Sequence, residues 1–142
     1  MTKDKKAFTL VELLVVIAIL AVLASVSIVG YTAFTRRAVQ NNALSELTQV
    51  KTLVTGAAST DEDGLVVNFG GSQTYVFNYD GNNNQYSFAS SSDEVELNMN
   101  DETHLTGIFS FDVSSQRITY TLKSGNNTAA LVWDLNTGTI LN

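Results

Sequence analysis

The sequence predicts an α+β protein, with one long N-terminal helix over about residues 8–57 packed on a small antiparallel β-sheet. Three observations lead there. Between Glu12 and Arg36 the chain carries no charged residue. From Val39 to Ala57 apolar residues recur at helical spacing, and from Thr74 onward the pattern changes to period two. The division that follows is a short charged N-terminal stretch over 1–7, an apolar helical segment over 8–35, and a globular unit over 36–142.

The first part of the helix rests on length and composition. Leu13 to Ala24 is apolar throughout, and about 20 such residues span a bilayer as a helix. A lone ionisable group near the end of that segment, Glu12, costs roughly 2–4 kcal/mol there and is a functional candidate by default. Lys3, Lys5 and Lys6 place the N-terminus on the cytoplasmic side. The second part is amphipathic: Val39, Ala43, Leu47, Val50, Val54 and Ala57 form one stripe, with Gln40, Asn41, Ser45, Glu46, Gln49 and Thr52 largely off it. Gly56 or Ser59-Thr60-Asp61 ends the helix. About 50 helical residues make some 75 Å at 1.5 Å per residue.

The strands follow from alternation and turn residues. Thr74-Tyr75-Val76-Phe77-Asn78-Tyr79 and Gln85-Tyr86-Ser87-Phe88 flank the turn Asp80-Gly81-Asn82-Asn83-Asn84, a hairpin. Further strands are expected at 107–113, 117–123 and 129–135. Their turns are Ser114-Ser115-Gln116 and Ser124-Gly125-Asn126-Asn127, with Asn136-Thr137-Gly138 as a last turn. Short connections make this a meander whose apolar face covers the helical stripe. Ile118, Tyr120, Leu122, Leu131 and Trp133 are core candidates.

Composition removes several function classes. The 142 residues carry a net charge of −6. From Ala57 onward only Arg117 and Lys123 oppose eleven acids, so no direct nucleic-acid binding is expected, since phosphates need Lys and Arg. There is no cysteine, hence neither a disulfide nor a thiol nucleophile. His104 is the only histidine, and a nucleophilic scheme would have to use it as base. It reads as a loop residue. No Gly-rich phosphate loop and no His/Cys metal pair occur, so no enzyme activity and no cofactor are expected.

The most specific signal is Phe8-Thr9-Leu10-Val11-Glu12, after the charged stretch 1–6 and the small residue Ala7. At these residues the chain resembles a type IV prepilin, the family of type IV pilins and of the pseudopilins of type II secretion and competence systems. The resemblance covers roughly the first 30 residues. It implies the type IV pilin fold, cleavage by prepilin peptidase between Ala7 and Phe8, and N-methylation of Phe8. It also implies pairing of the Phe8 amino group with the Glu12 carboxylate of a neighbouring subunit. An ion pair in a dry core is well suited to fixing register, and the α-amino group, with a reference pKa near 8, is largely charged at neutral pH.

Further implications concern partners and place. The subunit waits in the cell membrane as a single-pass protein, then polymerises through helix–helix packing into a homopolymer. An assembly ATPase and a platform serve that step, and the product is an extracellular filament for adhesion, motility or DNA uptake. Glu12 favours a major-type pilin; a pseudopilin is the alternative within the family. Two other readings of the apolar run are a secretory signal peptide cut before Ser25 and a plain anchor, either of which would leave a monomeric binding module. Some pseudopilins bind calcium in loops, and calcium needs an oxygen-rich site. That makes Asp61, Asp63, Asp93 and Glu94 candidates, with solvated acidic loops as the simpler reading.

Overall fold

In the computed structural model the described residues are 8–71, 73–90 and 94–142. They belong to two compact units, Met1–Thr35 and Arg36–Asn142. The first helix, α1 (Leu10–Ala58), has 49 residues and contributes to both.

In the first unit, α1 is helical without interruption through Gly30. Its apolar side chains from Leu10 to Phe34 are exposed, which in water would be untenable and in lipid is the ordinary state. The hydroxyls in this stretch bond to the helix's own carbonyls. Ser25 Oγ donates to Val22 O at 2.7 Å, Ser27 Oγ to Leu23 O at 2.8 Å and Thr32 Oγ1 to Val29 O at 3.0 Å. A polar group satisfied inside its own helix carries little penalty in hydrocarbon.

In the second unit, α1 buries Val39, Ala43, Leu47, Val50, Val54 and Ala58. The expected stripe is thus present, with Ala58 fully buried and Ala57 half-buried at its end. Gly56 does not end the helix, and the turn that does uses the backbone N–H groups of Ser59 and Thr60, bonded to Thr55 O and Ala57 O. A Cβ on Gly56 would meet nothing within 4 Å. Gly56→Ala should therefore raise stability by about 0.5–1 kcal/mol through the lower backbone entropy of the unfolded chain. The urea midpoint of the wild type and the variant measures it.

The sheet differs from expectation in being two. Strands β1 (Leu65–Asn68), β2 (Thr74–Asp80), β3 (Gln85–Ser90) and β4 (Leu97–Asn98) form one, in the order β3-β2-β1-β4. Its β1–β4 pair is parallel and the rest antiparallel. A one-turn helix, α2 (Met99–Glu102), follows β4. Strands β5 (Ile108–Asp112), β6 (Arg117–Ser124), β7 (Asn127–Asp134) and β8 (Thr139–Leu141) form the second, an antiparallel meander in chain order. The α+β class stands, a long helix packed on antiparallel-rich sheets.

The turn before β7 is tighter than expected. Asn127 pairs with Ser124, leaving Gly125-Asn126 as a two-residue loop, with Gly125 at φ 59°. Two-residue loops need left-handed residues to match the strand twist. Aromatic rings join the two sheets: Tyr75 stacks on Phe111 at 3.8 Å, Phe69 lies 4.7 Å from Phe109, and Phe77 lies 6.1 Å from Trp133. The Gln116 side chain adds a polar clasp. Its Oε1 accepts from Phe88 N at 2.7 Å while its Nε2 donates to Phe88 O at 3.2 Å, copying a strand neighbour for β3.

Candidate functional site

The candidate site is the start of α1. Helical geometry begins at Leu10, so Thr9 is the N-cap and Glu12 the third helical residue. The first N–H groups of any helix lack intrahelical partners. Here Thr9 and Glu12 satisfy each other. The Glu12 N–H donates to Thr9 Oγ1 at 3.3 Å, and Glu12 Oε2 accepts from Thr9 N at 2.8 Å and from Thr9 Oγ1 at 2.9 Å. This is a capping box. The carboxylate also stands in the first turn, where the helix dipole favours negative charge.

Two consequences follow from that geometry. Glu12 holds two donors within its own turn, which lowers the cost of keeping it in an apolar segment. Its carboxylate stays exposed, as does Phe8 at 87%, so the same oxygens are open to a cation from outside. Thr9 was not singled out from sequence, although Thr9-x-x-Glu12 before an apolar run is the signature of a capping box. Ala7 lies outside the described residues.

The second unit holds a polar junction that sequence reading also missed. Glu46, placed off the apolar stripe, is half-buried, and its carboxylate accepts from the Tyr120 hydroxyl. It also accepts from Thr106 N at 3.1 Å and Thr106 Oγ1 at 2.9 Å. The Tyr120 oxygen in turn accepts from Gly107 N at 2.8 Å. Burial first, and then the hydrogen bond to the Glu46 carboxylate, pushes the Tyr120 phenol well above its ordinary value. Its hydroxyl, donating to Glu46, pins the helix to β6. No spacing rule links positions 46 and 120, so only the fold reveals the pair.

The acidic candidates divide. Asp61 accepts from Asp63 N at 3.1 Å in a local turn, Glu94 is exposed, and Asp93 lies outside the described residues. The structure adds Glu96: a hydrogen bond with the Asp61 carboxyl, then the charges of Asp61, Asp63 and Glu94, holds its pKa above the usual carboxylate range. Among the described residues no group of three or more His, Asp or Glu has the arrangement to hold a metal ion. His104 is exposed in the loop after α2.

Other carboxylates serve turns. Asp112 accepts from Ser114 and Ser115, which brings its pKa down to about 2. Asp80 caps the β2–β3 turn through Asn82 N and Asn83 Nδ2, the latter bond being the larger reason its pKa is lowered. Asp134, buried, pairs with Arg117 at 3.0 Å and lies below its ordinary value chiefly for that reason.

Compared with known proteins, residues 2–28 match the family of the prokaryotic N-terminal methylation motif. No curated protein and no solved structure matches the chain. The match points to a structural protein rather than an enzyme, and with the one helix among the described residues that is long and apolar enough to cross a bilayer it fits a membrane-anchored precursor.

Proposed function

We propose that this chain, which carries the class III signal of type IV pilins and pseudopilins, is the major-type subunit of a type IV pilus. After cleavage between Ala7 and Phe8 it polymerises through the α1 segment of the first unit into a surface filament. One observation carries the reading. Glu12 is the only charged residue between Phe8 and Arg36, and its exposed carboxylate stands at the start of a helical stretch whose apolar side chains from Leu10 to Phe34 are exposed. Lipid solvates those side chains before assembly, and identical helices cover them afterwards.

The division of labour follows from the chemistry. Cleavage removes three lysines and frees the Phe8 amine; Thr9 holds the Glu12 carboxylate in place; the neighbour's amine then sets register. Prepilin peptidase is the first partner, and an assembly ATPase with its membrane platform is the next. The acidic unit over 36–142 is displayed on the filament.

Processing tests the first step. Ala7→Leu should leave uncut precursor with its charged leader, because a bulky side chain blocks the close backbone approach a peptidase needs, whereas Ala7→Gly should be cleaved as well as wild type. Mass spectrometry of the mature N-terminus reads the outcome: Phe8 supports the proposal, and a chain beginning at Ser25 refutes it in favour of a secreted monomer. Deletion of the gene should remove long surface filaments seen by electron microscopy. Loss of secretion or transformation with long filaments intact would place the subunit in a pseudopilus instead.

A further inference from the structure

Within the second unit, three segments distant in sequence form a half-open cleft of about 320 Å³. They are the α1 residues Lys51 and Thr55, the β2–β3 turn with the start of β3, and the end of β7 with the turn into β8. Two hydrogen bonds tie the walls together. The Lys51 ammonium donates to Gly138 O, and the Tyr86 hydroxyl donates to Thr55 O at 3.3 Å.

The charge in this cleft is one-sided. Lys51 is half-buried, and its partner is a neutral carbonyl. No carboxylate lines the cleft, and the ion pair found among the described residues is Arg117 with Asp134. The carboxylates nearest to the lining in sequence are engaged elsewhere. Asp80 accepts from Asn82 N and Asn83 Nδ2, and Asp134 accepts from Arg117, Asn136 N and Thr137 N. An ammonium drawn partly out of water and met by no acid keeps an unbalanced charge and unused donors. In the turn wall, Asn84 accepts from the Tyr79 hydroxyl through Oδ1 at 2.8 Å, which leaves its Nδ2 to donate.

We infer that this cleft binds a small organic molecule through a single carboxylate group, with Lys51 as its counter-ion and the Asn84 amide as a second donor. One cation matches one negative charge. A phosphate group carries about −1.5 to −2 and is typically cradled by successive backbone N–H groups. In this lining the N–H groups of Asn136 and Thr137 are already given to Asp134 Oδ1. The bond to Gly138 O holds the Lys51 head group at one point, which lowers the cost of ordering it on binding. From Ala57 onward eleven acids face two bases and repel anions at long range, so the affinity belongs in the millimolar range. The site stands apart from the filament reading, since every lining residue belongs to 36–142.

The full-length chain, in micelles of a polyoxyethylene detergent whose head group carries neither charge nor sugar, is titrated with sodium acetate, sodium glucuronate, glucose and sodium phosphate. Ionic strength is held constant, and the backbone amide cross-peak of Gly138 is followed in a ¹⁵N-correlated spectrum. At least one carboxylate should displace it saturably, with a Kd of about 10 mM. Equal action by the two means that the carboxylate alone is recognised, and action by glucuronate alone that its carrier is recognised with it. Glucose should leave the cross-peak in place. Lys51→Met should weaken binding about tenfold or more, the scale of a hydrogen bond to a charged group, and Lys51→Arg should retain it. Asn84→Gly keeps the left-handed backbone at φ 53° without the amide and should weaken binding several-fold. A cross-peak unmoved by both carboxylates at ~100 mM overturns the inference. So does an equal displacement in Lys51→Met, which would mark a non-specific ionic effect. Glucose acting as strongly as glucuronate, or phosphate binding more tightly than either carboxylate, rejects the stated ligand class.

Discussion

Glu12→Ala is expected to give subunits that insert, are cleaved and accumulate in the membrane, with filaments reduced by at least about tenfold, the equivalent of 1.4 kcal/mol. Insertion should not suffer, because the substitution removes the one ionisable side chain of an otherwise apolar segment. Two things are lost. One is half of the capping box, leaving the Thr9 N–H and hydroxyl without their acceptor; caps of this kind are worth about 1 kcal/mol of helix stability. The other is the negative charge proposed to meet a neighbour's Phe8 amine. Glu12→Gln separates the two, since its amide oxygen can still accept from Thr9 but carries no charge. If the charge sets register, Gln assembles as poorly as Ala. Assembly restored by Gln would assign the role to the cap, and normal filaments from Ala would remove Glu12 from assembly altogether. Quantitative immunoblots of sheared filaments against membrane-bound subunit make the distinction.

Gly107→Ala should have the largest effect on the second unit. A Cβ at position 107 would lie 2.4 Å from Tyr120 Cζ and 2.6 Å from its oxygen. The ring cannot yield, because Tyr120 is fully buried, packs against Phe109 at 4.7 Å and is held at its hydroxyl by Glu46 and Gly107 N. Overpacking of this kind costs about 3 kcal/mol, at the upper end of the usual range, out of a typical domain stability of ~5–15 kcal/mol. The urea midpoint of the mature subunit should fall, and the near-ultraviolet circular dichroism of the aromatic cluster should weaken at lower denaturant. A midpoint unchanged from wild type would show that β5 shifts freely and that the Glu46–Tyr120–Gly107 junction is not a fixed point.

How much of this was legible beforehand varied with the kind of signal. The long helix was, because 49 residues of consistent pattern leave few alternatives. The hairpin and the three-strand meander were, because alternation ends at Asp80-Gly81 and at Gly125-Asn126, where turn chemistry is strong. Strand β1 was not. Leu65-Val66-Val67 is central in its sheet and buried on both faces, so it shows no alternation, and four residues are too few for a period. Strand β8 was hidden as the tail of a turn, since its three residues gain strand geometry only by pairing with Val132, Trp133 and Asp134. At the candidate site, Glu12 stood out as the lone acid in an apolar run, whereas its partner Thr9 was readable only to an eye looking for a cap.

By itself, then, the sequence determined the features set by local composition: the apolar segment with its single carboxylate, the Phe8-Thr9-Leu10-Val11-Glu12 motif, the helical stripe from Val39, and the acidity of the second unit. The tertiary structure alone decided the rest. It split the strands into two sheets closed by aromatic rings and the Gln116 clasp, joined Glu46 to Tyr120, and buried the Trp133 N–H with no hydrogen-bond partner among the described residues. The physical reason is range. Hydropathy and turn propensity act between residues a few positions apart and are written along the chain. Packing, register and buried hydrogen bonds join residues as far as 87 positions apart here, and they exist only once the chain has closed on itself.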